Sequence, residues 1–435
     1  MFRLGKQRRL KKARELQERF RWKLENLRHL LRINSDLMET LSDVQSYAGG
    51  KIPDDHYTYD QVSNLVEGVA LMIESLNNLT DDEFYRLYRI HRKIGGKIQY
   101  ALTRSRAESA PPLVLSLDAA TRSRLSEVGG KAAHLGELRK LIAGHVPEGF
   151  VVSTAAYHRL LNENNLIGQL RALYSRIAVD NLRDAEITCA EIRRYVGNSL
   201  IPEAVMDEIE KHVASVCPGR RCKWAVRSSA VGEDGLFSFA GQFATILNVP
   251  PQKLAGAYLE VIASRFNTNA VLYRLAKNVK EAESPMAVLF IPMVDAVASG
   301  VAYTRDPLVE SDNQIVISSV RGLAAKLVGG KVEADSYCVE RGTLSISRQE
   351  VAAKRTMLVA SGNQGLRQQE VPGSLRKKPS LSEQQVHSLA KIALKIEDYF
   401  GVPCDIEWAI DKQGKCWILQ SRPLSIKEKT GVEPE

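Results

Sequence analysis

Residues 405–423 read Asp405-Ile406-Glu407-Trp408-Ala409-Ile410-Asp411-Lys412-Gln413-Gly414-Lys415-Cys416-Trp417-Ile418-Leu419-Gln420-Ser421-Arg422-Pro423. Two alternating runs flank a polar turn with glycine at its end, the pattern of a β-hairpin. Asp405 and Glu407 stand two apart and so share one face of the first strand, as Gln420 and Arg422 do on the second. Carboxylate, amide oxygen and guanidinium on paired strands suit a hard cation and a polyphosphate together. Twelve residues follow Pro423, so the sequence is expected to stop at a phosphate-handling site whose product is taken up elsewhere.

Working outward, a chain of 435 residues that is 44% apolar and 26% charged has room for two or three globular domains. No apolar run reaches the roughly 18–20 residues of a membrane span, and the basic N-terminus has no apolar h-region. The expected setting is the cytoplasm, with all six scattered cysteines as reduced, structural thiols. Residues 1–32 hold twelve Lys and Arg against Glu15, Glu18 and Glu25, a surplus equal to the net charge of the whole chain, +9. The basicity therefore belongs to an arm. Such a helix suits nucleic acid, an acidic membrane or an acidic partner, or is a solvated face. No basic groove interleaved with aromatics follows, so nucleic acid is not expected as the substrate.

Residues 1–108 read as a basic helical hairpin or bundle. Leu16, Phe20, Leu24, Leu27, Leu31, Met38 and Leu41 recur on one face, with a bend or recapping expected at Asn34-Ser35-Asp36. Self-association through this first helix is a possible use of the stripe. Ser109-Ala110-Pro111-Pro112 reads as a linker (109–112). Strand-like runs alternate with helical patterns over 113–425, giving an α+β domain, with 426–435 as a tail. Ser361–Lys378 has few apolar residues and reads as a mobile loop.

Three further segments bear chemistry. Val128-Gly129-Gly130-Lys131 is a glycine turn opening into a helix, where backbone N–H groups and Lys131 suit a phosphate; it lacks the Walker A spacing. Trp224-Ala225-Val226-Arg227-Ser228-Ser229 is a short strand that delivers Arg227 and Ser228 into a small-residue turn suited to anions. Phe237-Ser238-Phe239-Ala240-Gly241-Gln242 follows, small enough to lie over a triphosphate. Met286–Val294 is a continuous apolar run, the mark of a buried strand.

Taken in order, Gly129-Gly130-Lys131, Val146–Thr154, Val226–Ala230, Phe239–Gln242, Ser299–Pro307, Asp405–Ala409 and Leu419–Pro423 resemble the N-terminal nucleotide-binding domain of the phosphoenolpyruvate synthase (pyruvate, water dikinase) and pyruvate, phosphate dikinase family. The resemblance implies an ATP-grasp fold of two α/β subdomains over 113–425, with ATP and Mg²⁺ as cofactors. It gives Lys131 and Arg227, with Ser228, to nucleotide phosphates, and Gly241 and Gln242 to a glycine-rich lid. Phe290 and Met293 lie on the adenine-side strand. Glu407 and Gln420 would be metal ligands, with Asp405 a weaker one, and Arg422 would meet the phosphate charge that develops in transfer. The implied catalytic set is Lys131, Arg227 and Arg422.

The sequence departs from the family at two places. Gly322-Leu323-Ala324-Ala325 stands where the family has Gly-Leu-Gly-Glu, removing an acid near the nucleotide, and Ile291 stands where Gln is common. None of the eight histidines lies in the family's phosphorylatable context, and His134 is expected on a solvated helix surface. The resemblance thus implies a separate chain that carries the phosphohistidine and substrate domains. The alternative is a degenerate domain that senses nucleotide or scaffolds a partner without turnover.

Overall fold

The computed structural model describes residues 17, 20–24, 26–38, 40–42, 55–80, 82–108, 111–174, 176–177, 181–219, 222–231, 242–276, 285–307, 313–327, 334–362 and 364–424. The chain divides into two compact units, Met1–Ala110 and Pro111–Glu435.

The first unit is helical. A helix within 20–42 runs antiparallel to the helix Asp55–Thr80. Lys23 Nζ donates to the Leu79 carbonyl at 2.6 Å and Asn78 Nδ2 to Asn26 Oδ1 at 3.1 Å, while Gly68 lies under Leu37. The helix Arg86–Glu108 returns along the same partner, with His91 Nε2 donating to the Val66 carbonyl at 2.8 Å. The recapping expected as one outcome in the segment 34–36 does not occur. The helix runs through it, with Ser35 Oγ turned back onto the Leu31 carbonyl at 3.2 Å.

The second unit is α+β, with two main antiparallel sheets. The five-stranded sheet runs β1 (Val114–Ser116), β2 (Phe150–Val152), β5 (Met286–Pro292), β3 (Trp224–Ala230), β4 (Thr245–Val249). The six-stranded sheet runs β13 (Cys416–Pro423), β12 (Cys404–Asp411), β6 (Ala296–Tyr303), β7 (Gln314–Arg321), β8 (Asp335–Glu340), β9 (Ile346–Glu350). The unbroken apolar run of β5 has a direct cause, since both faces of that strand are covered. Met286, Val288 and Phe290 enter a core with the helices on one side. Ala287, Leu289 and Ile291 enter a second core shared with the six-stranded sheet and the helices Leu125–Leu141 and Glu383–Phe400. Arg227 of β3 meets Glu407 of β12 and Gln420 of β13 between the two sheets.

Two expectations are corrected. Ser361–Lys378 is not a featureless loop: β10 (Thr356–Ala360) and β11 (Leu366–Glu370) form an antiparallel hairpin. The β11 strand that falls in this stretch is polar and largely exposed, and it is paired to the apolar, half-buried Met357-Leu358-Val359 of β10, so it carries little apolar signal of its own. Cys217 and Cys222, expected as free thiols, are disulfide-bonded, with Cα atoms 6.1 Å apart beyond the end of the helix Glu203–Val216. Cys189, Cys338, Cys404 and Cys416 are free.

Candidate active site

The hairpin β12–β13 pairs Asp405 with Arg422 and Glu407 with Gln420. Directly opposed residues share a face, so all four side chains project to one side. Arg422 Nε and Nη2 both donate to Asp405 Oδ2, at 2.8 and 2.7 Å. Beyond Glu407 the register slips, and Trp408 faces Ile418. Leu419 is the extra residue of this β-bulge. Its carbonyl accepts from Arg227 Nη1 at 3.1 Å.

Arg227 arrives from the other sheet. On β3 its neighbours Val226 and Ser228 are fully buried, and its own side chain is one-tenth exposed. One nitrogen, Nη2, donates to both Glu407 Oε2 at 2.6 Å and Gln420 Oε1 at 2.7 Å. The glycine turn is seated on the same strand. Gly129 has φ +73° and ψ 170°, a conformation reserved for glycine, and a Cβ there would stand 1.9 Å from the Ser229 carbonyl oxygen. Ser229 Oγ donates to the Val128 carbonyl at 2.7 Å and accepts from the Ala132 amide at 3.0 Å. This clamp sets Lys131 over the strand, its Nζ donating to Ser228 Oγ at 3.1 Å.

A cavity of about 300 Å³ opens beside these groups. Arg227 and Glu407 line one part. Ala225, Leu247, Ile291 and Met293 make an apolar wall, and Ala324 and Ala325 line it as well. Both departures from the family pattern therefore fall inside the cavity. Phe290 does not: it stacks on Phe150 at 4.8 Å in the other core, and β5 is paired on both sides at this residue. The strand's exit at Met293 and Val294 is what borders the cavity. Gln242 lies at the base of the small-residue loop, its carbonyl accepting from Asn267 Nδ2 at 3.1 Å. Gly241 and the rest of that loop lie outside the described residues.

The electrostatics separate the two carboxylates. Burial pushes Glu407 up, but the charge and hydrogen bond of Arg227, with Lys131 and Arg422 behind, outweigh it and hold its pKa below the usual glutamate value. Asp405 goes the other way. Burial dominates, Arg422 offsets only part of it, and its pKa is raised. Among the described residues no three His, Cys, Asp or Glu side chains gather as a metal cluster. The available donors are two carboxylates and an amide oxygen, a hard-oxygen set that fits Mg²⁺.

Two residues bearing on this geometry carried no sequence signal. Glu397, on the helix Glu383–Phe400, binds Arg341 through two hydrogen bonds of 3.0 and 2.9 Å, with Arg305 at 3.5 Å. Arg341 also donates to the Thr304 carbonyl, and the Thr304 hydroxyl accepts from the Cys404 amide at 2.8 Å. This chain of contacts fixes the start of β12 one residue before Asp405. His134, expected in solvent, is half-buried against Phe400, with ring centroids 5.3 Å apart.

Comparison with known proteins gives the family. Residues 125–435 match the sequence profile of the pyruvate phosphate dikinase AMP/ATP-binding domain. The chain belongs to that family. Among curated relatives of this dikinase family, the probable phosphoenolpyruvate synthase of Methanocaldococcus jannaschii is 33% identical over 320 residues, covering 72% of this chain and 27% of the relative. The rifampicin phosphotransferase of a Streptomyces species is 35% identical over 315 residues, covering 72% and 36%. The phosphoenolpyruvate synthase of Aeropyrum pernix is 33% identical over 359 residues, covering 74% and 43%. The chain thus spans between about a quarter and two-fifths of the length of these relatives. What the match gives is the AMP/ATP-binding domain of that family. No described helix is long and apolar enough to cross a membrane.

Proposed function

We propose that residues 113–425 form an ATP-grasp domain that binds MgATP and transfers phosphoryl groups to a histidine-bearing carrier outside residues 1–435. The reaction would be of the pyruvate, water dikinase type. One observation carries this reading: cations from three separate segments, Lys131, Arg227 and Arg422, converge with Glu407 and Gln420 beside a cavity with an apolar wall. The apolar wall formed by Ile291 and Met293 suits a base, and the cationic end suits the phosphates. Magnesium, when bound, would neutralise and orient phosphate oxygens, and Glu407 and Gln420 hold the oxygens to receive it, with Asp405 next to them. The chain's own work is positional. Lys131 and Arg227 fix the polyphosphate, and Arg422, oriented by Asp405, meets charge that grows on the transferred group. This reading carries with it a cytoplasmic setting, where ATP is available.

The test is release of AMP and phosphate from ATP by the full chain, with and without a phosphohistidine carrier domain of the dikinase family supplied in trans. AMP formed only with the carrier supports the proposal. Nucleotide binding without AMP in either condition would sink the enzymatic reading. It would favour nucleotide sensing without turnover, for which the specific observation is that Ala324 and Ala325 line the cavity where the family has an acid.

The first unit offers a partner surface of its own. Its helix within 20–42 packs through Asn26, Leu30, Ile33, Leu37 and Thr40, all shielded. A second stripe, Phe20, Leu24, Leu27, Leu31, Met38 and Leu41, is exposed, at 70% for Phe20 and 59% for Met38. Steps of four and three, with Asn34 filling the one gap, match a coiled-coil seam. The occupant we assign is the same helix of a second copy, antiparallel. Residues 20–31 carry Arg21, Lys23 and Arg28 against Glu25, whereas residues 32–43 carry Asp36, Glu39 and Asp43 against Arg32. Antiparallel pairing sets the basic half against the acidic half. Sedimentation of the full chain should show a dimer that becomes monomeric in Leu27→Glu/Leu31→Glu; a monomeric parent refutes the assignment.

A further inference from the structure

Glu407 and Gln420 present oxygens to the same point, and that point is filled. Arg227 Nη2 stands 2.6 Å from Glu407 Oε2 and 2.7 Å from Gln420 Oε1. A single nitrogen stands between the two oxygens, Glu407 Oε2 and Gln420 Oε1, that would hold a magnesium ion. The guanidinium is held there further by the Leu419 carbonyl, which the β-bulge leaves outside the ladder. A divalent cation and a guanidinium cannot both occupy that niche, on grounds of space and of like charge.

We propose that Arg227 is a built-in place-holder for the metal: in the nucleotide-free protein its guanidinium occupies the cation niche, and the polyphosphate must draw it away before Glu407 and Gln420 can ligate. This deepens, and rests on, the nucleotide-site reading above. The physical driver is the fork of the guanidinium, which pairs two-pronged with phosphate as well as with carboxylate. A triphosphate entering beside Lys131 offers Arg227 a more highly charged partner than Glu407. Transfer of Arg227 to the phosphates uncovers a carboxylate and an amide oxygen, which then accept the cation that accompanies the nucleotide. Metal and nucleotide therefore bind with mutual reinforcement, and by linkage each raises the affinity of the other by the same factor. The device also keeps the half-buried Glu407 carboxylate neutralised while the site is empty, where an unpaired one would cost stability.

The test uses the full chain and Mn²⁺ alone, followed by the magnetic resonance signal of the free ion, together with thermal unfolding with and without Mn²⁺. The parent should bind Mn²⁺ weakly without nucleotide and at least tenfold more tightly once ATP is added. Arg227→Ala should bind Mn²⁺ without nucleotide at least tenfold more tightly than the parent, and Mn²⁺ should raise its unfolding temperature while leaving that of the nucleotide-free parent almost unchanged. The double variant Arg227→Ala/Glu407→Gln should lose that gain. A folded Arg227→Ala with no gain in Mn²⁺ affinity, or a gain that survives in the double variant, overturns the proposal. Should Arg227→Ala fail to fold, Arg227→Lys keeps a charge but not the fork and should show a smaller gain; no gain there is equally decisive. Failure of the parent to bind ATP would refute the nucleotide reading by itself, since the comparison of Arg227→Ala with the parent is made without nucleotide.

Discussion

Glu397→Ala tests whether the hairpin site is braced from behind. The Glu397 side chain is 8% exposed and accepts two hydrogen bonds from Arg341, whose side chain is 19% exposed, with the less buried Arg305 nearby. Removing one partner from a buried pair typically costs about 3–5 kcal/mol. Partial exposure of both arginines lets water solvate them in the variant, so the expected loss is about 2–3 kcal/mol. For a unit the size of Pro111–Glu435 this lowers the unfolding temperature by about 3–4 °C. The effect has a pH signature. Burial opposes ionisation of Glu397, yet Arg341, Thr304 and Arg305 outweigh it and hold its pKa below the ordinary value. A depressed acid contributes stability that is fully present above its unfolded pKa, about 4.3. That contribution is lost as pH falls through the folded pKa. The gap between parent and variant should therefore be constant from pH 8 to pH 5 and shrink as pH falls further. Urea unfolding across that range reads it. A loss below 0.5 kcal/mol at pH 7, or a gap that widens on acidification, would refute the reasoning. Because Arg341 also holds Thr304, and Thr304 the start of β12, the variant should also weaken ATP binding, measured by calorimetry at a temperature where it is fully folded.

Glu407→Gln keeps the shape of the niche and removes its charge, and should reduce Mn²⁺ binding in the presence of ATP at least tenfold while leaving the circular dichroism spectrum unchanged. Gly300→Ala would place a Cβ 1.8 Å from the Ser318 carbonyl oxygen and 2.9 Å from Trp408, forcing β6 away from β7, so a loss of about 3 kcal/mol in urea unfolding is expected. His134 has a lowered pKa, chiefly through burial and then through Arg122, so its stability contribution is present above about pH 6.5 and is lost as pH falls toward the folded value. His134→Gln should therefore flatten the fall of unfolding temperature between pH 7.5 and 5.5. The disulfide predicts that thiol titration of the denatured, unreduced chain will find the four thiols of Cys189, Cys338, Cys404 and Cys416 and miss two.

What the sequence disclosed was whatever depends on near neighbours. The alternation in 405–423 is local, and so were the hairpin and the shared face of Asp405, Glu407, Gln420 and Arg422. The need for glycine at 129 is partly local, because φ +73° with ψ 170° is a conformation side chains rarely adopt. Distance in sequence marks where legibility ended. The Leu419 bulge is matched to Arg227, 192 residues away, and Glu397 to Arg341, 56 away. Neither pairing leaves a periodicity. Phe290 illustrates a different limit. A strand buried on both faces reads as uniformly apolar, so alternation cannot say which face meets the cavity, and the stack on Phe150 took Phe290 to the other side.

The departure at Ala324-Ala325 acquires a narrower meaning from its surroundings. Its turn is held by the backbone. Gly322 has φ +72°, its carbonyl accepts from Ser299 Oγ at 2.6 Å, and the Leu323 amide donates to the Leu358 carbonyl at 2.9 Å. None of these contacts needs an acid at 325, so the shape of the loop survives the substitution and only a side-chain function is removed. A single charged hydrogen bond is worth about 1.5–3 kcal/mol, or roughly a 10–100-fold change in affinity. On the proposed reading Lys131, Arg227 and Arg422 still converge on the phosphate end, so that loss would weaken a nucleotide site without dismantling it. On that reading binding and turnover stay separate: the groups it gives to polyphosphate are in place, and the missing acid would bear on how tightly and in what pose the rest of the nucleotide is held.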